Sequence, residues 1–183
     1  MFYNKINKKN MEEITKLAVF DFDGTLVDTP LPDFGRKEYK EKTGKDWPFP
    51  GWWGQPLSLD MSIFDMPTVP MVMSAYKKEK MAPNTAMIML TGRMSKLGDK
   101  VKNILDTKGL KFNEYHYNNG GSTDVAKIRT LDSLLDKYPQ VTNVEMWDDR
   151  EEHLPIFQQW GDSKIEQGRL KYFKINHVPQ NRH

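Results

Sequence analysis

The sequence predicts an α/β fold in which helices flank a five-stranded, mainly parallel sheet. Short apolar runs alternate along its 183 residues with segments whose apolar residues recur every three or four positions, a pattern typical of strands that alternate with helices. Polar clusters follow directly after three of the apolar runs. Because ligands bind beyond the carboxyl ends of parallel strands, these clusters indicate one shared site. We expect a single domain, over residues 1–183.

The first half of the chain contains a strand, a long irregular interval and a helix. Residues 1–16 are polar and lysine-rich and are interpreted as a lead-in. The apolar run after them predicts a buried strand at 17–22. Residues 26–66 are rich in proline, glycine and tryptophan and predict irregular structure, with one short helix at 34–43. Apolar residues at helical spacing then predict a helix at 68–81.

The second half alternates regularly between strands and helices. Leu97, Val101 and Ile104 share one helical face, and Gly109 suits the end of that helix. Pro139 is a plausible end for the next helix, which begins near Thr123. The predicted strands here are 86–90, 112–117, 144–147 and 170–175, and the predicted helices are 96–108, 123–138 and 151–161.

Composition narrows the class of protein. The 27 basic and 25 acidic residues are nearly balanced, so bulk charge gives no sign of nucleic-acid binding. The chain has no cysteine, which excludes disulfides, thiolate zinc sites and a cysteine nucleophile. No apolar run approaches the roughly 20 residues of a membrane span, and the N-terminus lacks the apolar core of a signal peptide. We therefore expect a soluble, cytoplasmic protein that does not bind membranes.

The first polar cluster contains two carboxylates, one residue apart. Asp21 and Asp23 follow the first apolar run and precede Gly24. Residues i and i+2 of a strand share a face, so both carboxylates can reach one small volume. Two close carboxylates repel each other unless a cation or a proton lies between them. The pair therefore predicts a hard metal ion, Mg²⁺, and chemistry on an anionic substrate, although such a pair can also lie in a solvated turn.

The other polar residues each have a functional and a structural interpretation. The acidic pair at 148–149, after the fourth apolar run, could bind metal or begin a helix. Thr91, after the second run, could bind phosphate or cap the next helix. Lys127 could neutralise phosphate charge or be a solvated helix lysine. Arg93 and Arg150 could contact phosphate or form structural ion pairs.

Together these residues resemble the sequence motifs of haloacid dehalogenase (HAD) superfamily phosphatases. The Asp-Phe-Asp-Gly-Thr sequence at 21–25 is similar to the first motif of that family, and Thr91 to the second. Lys127, on the helix predicted after the third strand, fits the third motif, and the pair at 148–149 fits the fourth. The resemblance covers residues 17–175 and implies a Rossmann-like HAD fold.

Further details resemble two narrower groups within that superfamily. Thr-Gly-Arg at 91–93 and Asp-Asp-Arg at 148–150 are similar to sequences in the phosphatase half of polynucleotide kinase–phosphatases. With Gly-Trp-Trp-Gly at 51–54 and Glu-Glu-His at 151–153, they also resemble the Swiss Army Knife RNA-repair-like HAD proteins. This resemblance implies chemistry on the ends of nucleic acids.

The superfamily resemblance implies a magnesium-dependent phosphomonoesterase that forms an aspartyl-phosphate. Asp21 would be the nucleophile, and Asp23 would protonate the leaving oxygen and later activate water. Thr91 and Lys127 would bind the phosphoryl oxygens. The residues expected to hold Mg²⁺ are Asp21, Asp23, Asp148 and Asp149. The residues expected to contact substrate are Thr25, Gly92, Arg93, Arg150, Trp52 and Trp53.

The interval 26–66 would form a small cap or flap over the site, and it is called the flap below. Trp52 and Trp53 in it could stack on bases or pack against the core. A small flap leaves an open cleft, which suits the end of a polymer, so our preferred substrate is a terminal phosphate of RNA or DNA, such as an RNA 3′-phosphate. The alternatives are a nucleotide or small-molecule phosphatase and a non-catalytic HAD-fold binding module.

Overall fold

The computed structural model describes residues 8–180, and its centre is a sheet of five strands that are all parallel. The predicted α/β class is therefore confirmed. The strand order is β3-β2-β1-β4-β5, which places the first strand at the centre. The strands are β1 (Lys16–Phe20), β2 (Thr85–Met94), β3 (Glu114–Asn118), β4 (Asn143–Asp148) and β5 (Tyr172–His177).

Helices connect the strands close to the positions that the sequence predicts. The predicted helix at 151–161 is observed as a 3₁₀ turn, Glu151–His153, followed by an α-helix that tolerates Pro155 because the proline lies in its first turn. The predicted lead-in lies partly outside the described residues. The helices are α1 (Lys8–Met11), α2 (Pro32–Thr43), α3 (Pro70–Met81), α4 (Gly98–Thr107), α5 (Thr123–Lys137) and α6 (Leu154–Glu166). Further 3₁₀ turns are Pro56–Leu59 and Ser95–Leu97.

The alternation of side chains along β1 divides the core into two layers. Ala18 and Phe20 belong to a cluster that includes residues of α3 and α4. Leu17 and Val19 point to the opposite face and belong to a second cluster with residues of α5 and α6. Burial of both faces explains why β1 is apolar throughout rather than alternating, and it holds the carboxyl end of β1 rigidly in the middle of the sheet.

The second strand is longer than the sequence indicates. It was predicted over 86–90, with Thr91, Gly92 and Arg93 in the turn after it. In the structure β2 runs to Met94, and its pairing with β3 shifts register between Leu90 and Met94. The predicted motif therefore lies within the strand, beyond the point where the pairing with β1 ends at Met89.

The flap packs against the core around Trp52, which is only 3% exposed. Its indole lies 4.6 Å from the ring of Trp47 and 5.4 Å from that of Phe64. Gly35 of α2 makes room for it, because a Cβ atom at that position would collide with the indole. Trp52 is thus a core residue, and the prediction that it contacts substrate is wrong for this structure.

Among the described residues, no helix combines the length and the apolar character needed to cross a membrane.

Candidate active site

The candidate site lies at the carboxyl end of the sheet, where β1 and β4 end side by side. From β1 the chain continues to β2, on one side of this pair of strands, and from β4 it continues to β5, on the other side. Such a reversal of strand order opens a crevice in parallel sheets. Here it opens a cleft of about 420 Å³, whose lining includes Asp21, Asp23, Lys127 and Asp149.

Three carboxylates and one ammonium group form the floor of the cleft. Asp21, Asp148 and Asp149 each place one carboxylate oxygen within 4.8 Å of the other two. Lys127 in α5 donates hydrogen bonds to Asp21 Oδ1 at 2.9 Å and to Asp148 Oδ2 at 2.7 Å. The lysine side chain is 3% exposed. The sequence predicted each of these four residues as part of the site, and the structure brings them together.

The charges of this group do not balance. Burial raises the pKa of Asp21 well above its ordinary value; Lys127 opposes this effect, and Asp148 and Asp149 add to it. Burial also raises the pKa of Asp149. Burial acts to lower the pKa of Lys127, but Asp148 and Asp21 outweigh it and raise this pKa. The lysine is therefore charged, and one ammonium group faces three carboxyl groups.

The same group could hold a hard divalent cation. Asp149 Oδ1 is one of the buried side-chain oxygens without a hydrogen-bond partner among the described residues, and a buried acceptor without a donor is costly. Carboxylate oxygens are the ligands that Mg²⁺ prefers. A cation bound between Asp21, Asp148 and Asp149 would satisfy Asp149 Oδ1 and would favour the ionised forms of Asp21 and Asp149, which burial disfavours.

Asp23, which was also predicted as a metal ligand, lies outside this cluster. Arg93 forms a two-point ion pair with it, with Nε 2.9 Å from Oδ2 and Nη2 2.8 Å from Oδ1. Thr29 donates a third hydrogen bond to Oδ1 at 2.6 Å. The side chain of Asp23 is thus held by donors at the edge of the cleft, and its assignment as a metal-ligating carboxylate is corrected.

Arg93 also connects Asp23 to the flap. Its Nη1 donates to the backbone oxygen of Trp53 and to Ser58 Oγ, both at 2.8 Å. Its guanidinium carbon lies 4.9 Å from the centre of the Trp53 ring. Trp53 lines the cleft and is 42% exposed, so the two adjacent tryptophans have opposite environments.

The remaining predicted residues divide between support and lining. Thr25 is fully buried and donates through Oγ1 to Asp21 Oδ2 at 3.2 Å, so it supports Asp21, and its predicted contact with substrate is corrected. Thr91 is buried, and its Oγ1 accepts the backbone N–H of Arg93 at 3.1 Å. A hydroxyl that accepts in this way can still donate its proton.

Gly92 and Arg150, which are predicted to contact substrate, lie on the lining of the cleft. A Cβ atom at Gly92 would lie 2.6 Å from Thr123 Cγ2, so glycine is required for the first residue of α5 to approach β2. Arg150 forms an ion pair with Glu152, with Nη2 2.7 Å from Oε1. Its side chain is 47% exposed, so Arg150 can reach a ligand at the mouth of the cleft.

Sequence reasoning missed several residues that line the cleft. The sequence predicts Thr123 only as the start of a helix and gives no site role to Leu31, Glu152 or Gln180, yet all four line the cleft. Thr123 carries a detectable signal, because it lies four residues, or one helical turn, before Lys127. Gln180 carries none, because it follows the last strand and its position depends on how the chain folds back.

The parallel sheet and the strand-end carboxylates define a HAD-like α/β domain. A family model described as HAD domain family 1 in Swiss Army Knife RNA repair proteins matches residues 42–183, so the chain belongs to that family. The resemblance drawn from the sequence motifs is thereby confirmed. The match begins after Asp21 and Asp23, so the positions of these two residues rest on the structure.

One protein of similar sequence and two solved structures of similar fold match the chain at low sequence identity. The uncharacterized protein YMR265C of Saccharomyces cerevisiae is 28% identical over 185 residues, which is 88% of this chain and 40% of the yeast protein. A Pnkp1/Rnl/Hen1 RNA repair complex contains a chain with a TM-score of 0.55 and 18% identity, and the match covers 90% of this chain and 43% of that one. The HAD domain of effector protein Lem4 from Legionella pneumophila has a TM-score of 0.50 and 11% identity, covering 93% and 89%. The chain thus spans less than half the length of the yeast protein and of the repair-complex chain.

Proposed function

We propose that the protein is a magnesium-dependent phosphomonoesterase that acts through an aspartyl-phosphate on Asp21. The observation that carries the proposal is the position of Asp21, which lies buried in the cleft between Lys127 and the acidic pair at 148–149. Phosphate monoesters are anionic and hydrolyse extremely slowly without a catalyst. A carboxylate nucleophile divides the reaction into two easier steps.

In the first step, a carboxylate oxygen of Asp21 would bond to phosphorus as the bond from phosphorus to the ester oxygen breaks. Asp23 would give a proton to the departing oxygen, and in the second step it would take a proton from the water that attacks phosphorus and releases Asp21. Lys127 would offset the negative charge on Asp21 and the phosphoryl oxygens. Mg²⁺, held by Asp21, Asp148 and Asp149, would reduce the repulsion between the nucleophile and the phosphoryl group.

We propose a terminal phosphate of RNA or DNA as the substrate. Family membership supports this choice, because the family is described from RNA repair proteins, and so does the similarity in fold to a chain of an RNA repair complex. The exposed Trp53 at the cleft also supports it, because an aromatic ring can stack on a base of any type.

Phosphate release from a matched set of substrates would test both proposals. The set comprises oligonucleotides with a 3′-phosphate, a 5′-phosphate or a 2′,3′-cyclic phosphate, free mononucleotides and a generic aryl phosphate. We expect magnesium-dependent release that is fastest for one class of oligonucleotide end and abolished in Asp21→Asn. Faster turnover of mononucleotides would favour a small-molecule phosphatase, and no release from any phosphomonoester would favour a binding module.

The two tryptophans provide a matched test of substrate contact. Trp53→Ala is expected to raise KM for oligonucleotides about 5- to 150-fold, the range that corresponds to roughly 1–3 kcal/mol of stacking on one base, with little effect on an aryl phosphate. Trp52→Ala is expected to destabilise the fold by about 3–5 kcal/mol because it empties a core position. An unchanged KM in Trp53→Ala would remove the stacking contact from the proposal.

A further inference from the structure

The chain that follows β5 reaches the candidate metal centre. The backbone N–H of Val178 donates to the backbone oxygen of Asp148 at 2.9 Å, and the Val178 side chain is fully buried. These contacts continue the pairing of β5 with β4 and bring Gln180 to the lining of the cleft. Gln180 thus reaches the site from a segment to which neither the sequence motifs nor the proposed reaction assigns a role.

In the part of the chain that the structure describes, the polar contact of the Gln180 side chain is to Asp149. Its Nε2 donates a hydrogen bond to Asp149 Oδ2. Gly24 leaves the space for this pair, since a Cβ atom there would collide with Gln180 Nε2 and would lie 2.6 Å from Asp149 Oδ2. The φ angle of Gly24 is +70°, which also favours glycine. The turn after Asp23 therefore accommodates the glutamine–aspartate pair.

The remaining side-chain oxygens of the glutamine–aspartate pair are both buried hydrogen-bond acceptors. Within residues 8–180, neither Asp149 Oδ1 nor Gln180 Oε1 has a hydrogen-bond partner. Each unpaired buried acceptor carries a desolvation cost. Both side chains line a cleft in which three carboxylates face one ammonium. A cation and its bound water would satisfy such acceptors, whereas a further anion would not.

We propose that Gln180 is a positioning residue of the metal centre: its amide N–H holds Asp149 Oδ2 and thereby directs Oδ1 toward the cation. This inference rests on the proposed function for the presence of a metal. Side chains that hydrogen-bond a metal ligand orient it, and their loss typically weakens metal binding 10- to 100-fold.

Direct metal titration tests the inference without relying on catalysis. The Kd for Mg²⁺ and for Mn²⁺ would be measured by calorimetry on the wild type, Gln180→Ala and Gln158→Ala. Gln158 is a matched control, since its Nε2 donates to an aspartate, Asp162, at an exposed place on α6. We expect Gln180→Ala to raise the Kd about 10- to 100-fold, with an unchanged circular dichroism spectrum, and we expect Gln158→Ala to match the wild type.

A double-mutant cycle distinguishes positioning from a general loss of structure. If Gln180 acts through Asp149, then Asp149→Ala and the double variant Asp149→Ala/Gln180→Ala should bind the metal equally weakly, because the acceptor that Gln180 holds is already removed. Additive losses in the double variant would contradict action through Asp149. High Mg²⁺ should also restore the kcat of Gln180→Ala, which a misfolded site would not allow.

The possible outcomes separate this inference from the proposed function. Equal affinities in the wild type and Gln180→Ala would overturn the role of Gln180 and leave the phosphatase intact. Weaker metal binding in Gln180→Ala, in a protein that releases no phosphate from any substrate, would support the role of Gln180 and overturn the phosphatase. A wild type that binds neither Mg²⁺ nor Mn²⁺ would overturn both.

Discussion

The two ends of the central sheet each carry a lysine that bridges two carboxylates, and their surroundings differ. At the amino end, Lys16 Nζ lies 2.9 Å from Glu79 and 3.0 Å from Glu145. At the carboxyl end, Lys127 Nζ lies 2.9 Å from Asp21 and 2.7 Å from Asp148. The Lys16 side chain is 23% exposed, whereas that of Lys127 is 3% exposed.

The difference lies in what surrounds each bridge. Glu145 at the amino end also accepts a hydrogen bond from Asn176 at 3.0 Å, so its charge is shared between donors. At the carboxyl end a third carboxyl group, Asp149, joins the cluster, and its Oδ1 has no hydrogen-bond partner among residues 8–180. The first arrangement is a finished structural contact. The second would be completed by the cation proposed above, and this contrast distinguishes a structural ion pair from a candidate active site built of similar residue types.

The largest expected effect comes from removing each lysine in turn. Lys127→Met is expected to lower kcat at least about 100-fold, because the loss of one group that stabilises developing charge in an active site typically has an effect of this size. Lys16→Met is expected to leave kcat unchanged and to destabilise the fold by about 1–3 kcal/mol, because two carboxylates lose their donor. Phosphate release and thermal unfolding measure the two effects. A loss of kcat in Lys16→Met would remove the functional distinction between the two ends.

A smaller effect is expected from neutralising one carboxylate at each end. Without metal, Asp149→Asn should raise stability by about 1 kcal/mol, or roughly 2–4 °C in Tm, because it relieves repulsion and keeps the acceptor for Gln180. Glu145→Gln should lower stability by a similar amount, because Lys16 loses a charged partner. Metal-free calorimetry measures both shifts.

Saturating Mg²⁺ supplies the control for this pair of variants. The wild type should then gain stability, by about 2.7 kcal/mol at a concentration of 100 times Kd, and should exceed Asp149→Asn. If Asp149→Asn is instead destabilised without metal, then Asp149 belongs to a satisfied network and the contrast between the two ends fails.

The smallest effect is a difference in pH dependence. Burial raises the pKa of Asp149. The contribution of this carboxyl group to stability is therefore present at a pH below its ordinary pKa of 3.8, and it is lost as the pH rises through the raised pKa. Burial acts to raise the pKa of Glu145, but hydrogen bonds from Asn176 and Lys16 outweigh it and lower this pKa. The contribution of Glu145 to stability is therefore present at a pH above its ordinary pKa of 4.5, and it is lost as the pH falls through the lowered pKa.

Metal-free unfolding measured across acid and neutral pH should show these opposite signs. The stability of the wild type relative to Asp149→Asn should decrease as pH rises, and its stability relative to Glu145→Gln should decrease as pH falls. If both stability differences instead change with pH in the same direction, the proposed electrostatic difference between the two ends of the sheet is contradicted.

The first two strands could be predicted most directly from the sequence, because β1 after Lys16 and the first part of β2 are almost entirely apolar. Burial of both faces leaves little room for polar residues between 17 and 20 or at 86–90. Strand ends were less predictable: Thr91, Gly92 and Arg93 interrupt the apolar pattern, yet they continue β2 after its pairing with β1 ends.

The site was predictable where each residue closes a strand and unpredictable where contacts depend on the flap or on the chain after β5. The proximity of Asp21 to the pair at 148–149 could be predicted, because these residues lie at the ends of two neighbouring strands. The pairing of Asp23 with Arg93 does not, because it depends on tertiary packing between β1, β2 and the flap. Trp52 and Trp53 are adjacent residues of the same type, so the sequence does not indicate which of them is buried. Their difference depends on tertiary packing, because Gly35 leaves space for the indole of Trp52.

The guanidinium of Arg93 is shared between Asp23 and the flap, and this has a consequence for how natural variation in this protein is interpreted. Ser58 lies 35 residues before Arg93 in the chain, yet it is one hydrogen bond from the guanidinium that holds Asp23. A substitution at Ser58 is therefore expected to act on the position of Asp23 indirectly, through the guanidinium. Under the proposed function, a change in the flap would therefore alter proton transfer by Asp23 from a position that does not line the cleft.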